Sequence, residues 1–241
     1  MIRKHVLSRI QEIGIIPAIR VSSMEDASFA AKSIFRGGIL VVEIAVTVPG
    51  ITQLISALHA QLPEMIVGVG SVHDPELGRE CVAAGAMFLT TDGLVPEVIE
   101  LAKRHDVAVF PGALSPAEIL AAWRAGADLV KVFPCSAFGG ESYVRTLKAS
   151  VPEIPLIAAG GVNQQTATGY ITAGAAALGI STALFPREAI ELRQEKRIQE
   201  LARRFTGFVT HGRKEYASTH GHPPAPSEPE MARLASLLAQ S

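Results

Sequence analysis

The sequence predicts an α/β protein built as a single closed (β/α)8 barrel, on three observations. Eight short apolar runs recur along the chain, helix-like stretches separate them, and a glycine or hydroxyl residue tends to follow each run. The residues closing the runs are Arg20, Glu43, Ser71, Thr91, Pro111, Lys131, Gly160 and Ser181, spaced by roughly 20 to 29 residues, the regularity of a repeated supersecondary unit. Each intervening segment is long enough to cross between parallel strands. A doubly wound open sheet is the alternative, but even spacing without a break favours closure.

The chain begins with an amphipathic stretch, Ile2 to Ile13, read as an additional N-terminal helix. The eight apolar runs are Ile15 to Ile19, Leu40 to Ala45, Met65 to Val69, Met87 to Leu89, Val107 to Phe110, Leu129 to Phe133, Pro155 to Ala159 and Ala176 to Ile180. Helical periodicity fills the gaps, at Met24 to Phe35, Pro75 to Ala84, Glu97 to Arg104, Pro116 to Ala125 and Gln164 to Ala173. Asp74-Pro75 and Ser115-Pro116 are polar caps followed by proline, and Gly37-Gly38, Gly85, Gly126 and Gly174 sit where left-handed C-caps belong. Ile190 to Phe208 reads as a long charged eighth helix over the outside of the barrel. The barrel is expected to occupy 1–210. Residues 211–241 are expected to form a Pro-rich tail, partly extended, with a short terminal helix from Glu230 to Gln240. The tail histidines His211, His220 and His222 read as solvated in preference to a metal site.

Composition excludes several classes. The 241 residues are 48% hydrophobic and carry a formal net charge of -1, which gives no electrostatic footprint for nucleic acid or an anionic membrane. Cys81 and Cys135 are too few for a disulfide framework, and a reducing cytoplasm is expected. No apolar run reaches membrane-spanning length, and the N-terminus lacks a signal peptide's apolar region.

The chemistry centres on Asp128-Leu129-Val130-Lys131-Val132-Phe133-Pro134, where a lysine interrupts a buried strand. A buried ammonium must find a partner, reach water or lose its proton, and the last outcome yields an amine nucleophile. With Val130 and Val132 against the helices, Lys131 points inward near the C-terminal end of its strand, where barrel active sites lie. Glu43, in Leu40-Val41-Val42-Glu43-Ile44-Ala45, is a carboxylate in the same situation. The two read either as a structural ion pair or as a Schiff-base lysine with a proton-moving carboxylate. Arg20 ends the first strand as a fork suited to a substrate carboxylate, or as a charge partner of Glu43. Gly160-Gly161 after the seventh strand and Ser181 after the eighth lie where barrels often bind phosphate.

Val130-Lys131-Val132-Phe133-Pro134, Val42-Glu43-Ile44, Val67-Gly68-Val69-Gly70-Ser71-Val72, Phe110-Pro111-Gly112 and Gly160-Gly161-Val162 occur together in an order and spacing that resembles the 2-keto-3-deoxy-6-phosphogluconate/4-hydroxy-2-oxoglutarate aldolases, from about Ile13 to Phe208. The resemblance implies a class I aldolase of TIM-barrel fold, usually a homotrimer, that uses no cofactor or metal. It would cleave a small-molecule 2-keto-4-hydroxy acid to pyruvate and an aldehyde. It makes Lys131 the Schiff-base lysine and Glu43 the general acid/base, with Arg20, Thr47 and Ser71 at the pyruvoyl carboxylate. Gly160, Gly161 and Ser181 would take the distal phosphate. The 6-phosphogalactonate relative is the enzyme alternative, suggested by Phe133-Pro134-Cys135-Ser136-Ala137-Phe138-Gly139, and a non-catalytic sugar-phosphate-binding barrel is the other. Three residues depart from the family pattern: Thr47 stands where several members carry arginine, Asp92 where proline is common, and Ala159 where threonine precedes Gly-Gly. An Asp92 facing inward would repel a phosphate.

Overall fold

The computed structural model describes residues 2–220. In chain order the elements are α1 (Ile2–Ile13), β1 (Ile15–Ile19), α2 (Met24–Arg36), β2 (Val41–Ala45), α3 (Ile51–Gln61), β3 (Ile66–Gly70), α4 (Pro75–Ala83), β4 (Phe88–Thr90), α5 (Pro96–Arg104), β5 (Ala108–Phe110), β6 (Gly112–Ala113), α6 (Pro116–Ala125), β7 (Val130–Val132), α7 (Gly140–Ser150), β8 (Leu156–Ala159), α8 (Ala167–Thr172), β9 (Ala177–Ile180), α9 (Arg187–Glu191) and α10 (Glu195–His220). The strands are all parallel, in the order β5-β4-β3-β2-β1-β9-β8-β7-β6. β5 and β6 are two halves of the fifth barrel strand, separated by Pro111, which has no N–H for a ladder. One half pairs with β4 and the other with β7, so the sheet closes. The predicted barrel is therefore the observed one, and the capping signals hold: Asp74 accepts from Glu76 N, and Ser115 and Glu118 form a reciprocal capping box.

Two apolar layers organise the barrel. The larger lies between strands and helices and includes Ile19, Val42, Ile44, Val69, Leu89, Val130 and Val132. The smaller fills the barrel interior at the N-terminal end of the strands with Ile16, Val41, Ile66, Phe88, Ala108, Phe110, Leu129, Ile157 and Ala177, and Val6 and Ile10 of α1 join it. Phe88 and Phe110 stack at 5.3 Å inside, and Gly68 leaves the space that the Phe88 ring occupies. α1 thus plugs one mouth of the barrel, and Arg3 seals its rim with a 2.7 Å ion pair to Asp128. Among the described residues, the mouth at the C-terminal end of the strands is not plugged in this way.

The end of the chain departs from expectation. The helix predicted from Ile190 to Phe208 is broken at Arg193, whose φ is 52°. There the chain turns so that Arg193 bonds Asp26 and Glu25 at the start of α2, with its guanidinium 5.0 Å from the Phe29 ring. α10 then runs to His220, so residues 211–220, expected to begin an extended tail, are helical. The cause is packing beyond Phe208: Val209 is buried, Gly212 lets the helix approach Ile171 of α8, and Arg213 donates to the backbone carbonyls of Gln11 and Glu12 at the end of α1. His211 lies 3.1 Å from Glu215 on the same helix. The proline-rich segment, His222 and the expected Glu230 to Gln240 helix lie outside the described residues. Among the described residues no helix is long and apolar enough to cross a membrane.

Phe205, fully buried and edge-on to Phe208, is the largest apolar anchor of α10. Phe205→Ala is expected to cost about 3–5 kcal/mol of stability, measured by urea unfolding; a loss under about 1 kcal/mol would show that α10 is dispensable to the barrel.

Candidate active site

Side chains alternate faces along a strand, so the residues that fill the plugged end of the barrel predict which residues line the open end. Ile16 leads to Arg20, Val41 to Glu43, Phe88 to Thr90 and Asp92, and Leu129 to Lys131. On β8 and β9, Ile157 and Ala177 lead by the same count to Gly161 and Ser181. Two of these inward groups are ionisable and almost wholly enclosed by the barrel wall, Glu43 and Lys131, each 5% exposed, and Asp92 is partly buried above them.

Lys131 Nζ lies 3.0 Å from Asp92 Oδ1 and 3.5 Å from Thr90 Oγ1. Thr90 Oγ1 in turn donates to Glu43 Oε2 at 2.9 Å. A single hydroxyl therefore bridges the amine and the buried carboxylate, a geometry through which a proton can pass between them. Gly70 makes the room, since a β-carbon there would fall on the Glu43 carboxylate. Arg20 Nη2 donates to Ser71 Oγ at 3.0 Å and stands 3.8 Å from Asp92 Oδ1. His73 Nε2 approaches Asp92 Oδ2 at 3.5 Å from the solvent side. Ser71 holds its position with φ at 59°, a left-handed conformation that a serine adopts only when its surroundings impose it. Burial pushes the Asp92 carboxyl up, but the Lys131 charge, hydrogen bonds from Ser71 and Lys131, and the Arg20 charge together hold it below its ordinary value.

The structure thus brings Arg20, Glu43, Ser71 and Lys131 into one cluster. It also changes the pairing expected from sequence. Asp92, and not Glu43, is the direct carboxylate partner of Lys131 and the nearer partner of Arg20. Asp92 does face inward, and Thr90 and His73 join the site although sequence reasoning passed over them. The signal for Thr90 and Asp92 was present in the Phe88-x-Thr90-x-Asp92 alternation; His73, beyond the end of β3, had none. Thr47, Gly160, Gly161 and Ser181 stand at the same end of the barrel, after β2, β8 and β9, outside this hydrogen-bonded cluster. Gly160 and Gly161 have φ of 84° and 89°, and a β-carbon on Gly161 would collide with Ser136, so this turn accepts only glycine. Cys135, near that turn, has its thiol pushed up to about 11 by burial and is inert.

A barrel closed at one mouth, with a buried amine, a hydroxyl bridge and a carboxylate at the other, carries the kinds of group that a lysine-dependent, class I aldolase, a carbon–carbon lyase, uses. Comparison with known proteins narrows this. A sequence model of the KDPG and KHG aldolases matches residues 6–201. The 2-dehydro-3-deoxy-phosphogluconate aldolase of Pseudoalteromonas atlantica is 26% identical over 78% of this chain and 88% of its own length. The KHG/KDPG aldolase of Escherichia coli is 27% identical over 78% of this chain and 89% of its own. Among solved structures, the KDPG aldolase of Legionella pneumophila with pyruvate captured as a covalent carbinolamine superposes with a TM-score of 0.75. It is 27% identical and covers 81% of this chain and 95% of its own. A native KDPGal structure gives 0.75 at 28% identity, covering 83% and 96%. The chain belongs to the KDPG and KHG aldolase family.

Gly70→Ala is expected to displace Glu43 and lower aldolase turnover by on the order of 10²-fold, with an unchanged far-UV spectrum; near-normal turnover would show that Glu43 need not hold this position.

Proposed function

We propose that the chain cleaves a 2-keto-4-hydroxy acid, 2-keto-3-deoxy-6-phosphogluconate or 4-hydroxy-2-oxoglutarate, to pyruvate and an aldehyde, with Lys131 as the Schiff-base lysine. The observation that carries the reading is the Lys131–Thr90–Glu43 array at the open end of the barrel. Lys131 attacks the C2 carbonyl, water leaves, and the iminium forms at Nζ. Glu43 accepts the C4 hydroxyl proton as the C3–C4 bond breaks. The bond's electron pair passes into the iminium to give a neutral enamine, so no free carbanion arises. The aldehyde departs, the enamine is protonated at C3, and water hydrolyses the imine to pyruvate and the free amine. Arg20, Ser71 and Thr47 hold the pyruvoyl carboxylate, and Gly160, Gly161 and Ser181 receive the far end of the substrate. The same reading makes the working form a cytoplasmic homotrimer, which sedimentation of the purified protein tests for assembly.

The 6-phosphogalactonate epimer is a second reading, favoured by the similarity to the KDPGal structure. Pyruvate release from the two C4 epimers, and from phosphorylated and unphosphorylated acids, separates these substrates.

Borohydride reduction in the presence of pyruvate is expected to add a stable adduct at Lys131, located by peptide mass. Lys131→Ala should trap nothing and retain less than about 10⁻³ of the turnover. An adduct on another lysine, or none where a control aldolase reacts, would reject the assignment.

A further inference from the structure

The Asp92 carboxylate is bound to the same groups that the proposed function assigns to the substrate. Its Oδ1 lies 3.0 Å from Lys131 Nζ and 3.8 Å from Arg20 Nη2, and the same Arg20 Nη2 donates to Ser71 Oγ. An acid group in the Arg20–Ser71 corner, within reach of the lysine amine, is what a 2-keto acid would present on binding. We propose that Asp92 is a specificity-determining residue that stands in the substrate-carboxylate position as an internal anion, so that a 2-keto acid binds only by displacing it. The inference rests on the reading of Arg20 and Ser71 as carboxylate-holding residues.

Charge makes displacement necessary. The groups facing Asp92 are Lys131 of β7, Arg20 after β1, Ser71 and His73 after β3, and, through Thr90 of β4, Glu43 of β2. The two cations are balanced by the two carboxylates. An incoming carboxylate beside Asp92 would be a third anion on two cations, and like charges within one pocket disfavour both being ionised. The geometry also provides a place for Asp92 to go. It follows β4 at the mouth, Gly93 beside it has open space where a side chain would stand, and the 61%-exposed His73 already approaches Oδ2. Rotation outward keeps one partner while vacating Arg20 and Lys131.

Asp92→Asn keeps the shape and removes the charge. The pyruvate concentration that half-saturates borohydride trapping, and KM for cleavage, are expected to fall about tenfold. Methyl pyruvate, which carries no carboxylate to seat, is expected to trap on wild type and variant with half-saturation within about twofold. Asp92→Ala, at this partly exposed position, should repeat the pattern, with melting temperature confirming that both variants fold. An unchanged or raised half-saturation for pyruvate overturns the proposal. An equal gain for methyl pyruvate overturns it too, because Asp92 would then act on the amine alone. Wild-type protein that traps neither compound at Lys131 refutes the Schiff-base reading itself, and the proposal with it.

Discussion

An ammonium enclosed by a barrel wall has to be compensated within a few ångströms, and that constraint shapes the open end of this protein. Lys131 cannot be left alone at 5% exposure, because desolvating a charge costs several kcal/mol unless partners replace its water. The replacements come from two other strands: Thr90 and Asp92 at the end of β4, and Glu43 from β2 through Thr90, while Arg20 at the end of β1 shares Asp92 with the lysine. Thr90, Asp92 and Arg20 each belong to more than one interaction, so these pairs are not separable from one another. The cluster is a network in which a proton or a charge displaced at one member is felt at the others.

The barrel beneath makes that network possible by being solid. Aromatic rings and branched side chains fill its plugged half, with α1 as the stopper. The walls narrow to glycine where a polar side chain must fit, as at Gly70 beside Glu43. Large residues below and small ones above convert a closed sheet into a cup. The rigid floor fixes strand positions, and the polar residues one or two steps further along inherit that precision.

Much of this could be read from residue order. The eight-fold rhythm, the caps and the inward parity of Arg20, Glu43 and Lys131 follow from local rules, because strand period and cap chemistry act over a few residues. Partner choice does not. Whether Lys131 meets Glu43 or Asp92 depends on which strands stand opposite across the barrel and how far each side chain reaches, distances set only when the sheet closes. Asp92 was visible as a departure from the family pattern and by parity, yet its role as the direct partner of Lys131 was not. The broken helix at Arg193 was hidden for a related reason: a positive φ at arginine is unfavourable locally, and contacts with Glu25, Asp26 and Phe29, far away in sequence, offset it.

Arg213 ties α10 to the last carbonyls of α1. The stopper at the barrel floor is therefore latched by residues synthesised some 200 positions later. During synthesis α1 can form early, but its latch exists only once most of α10 has been made. By then β9 has been available to close the sheet against β1. The order of the chain thus puts the latch of the floor among the contacts that synthesis makes available after every strand of the wall.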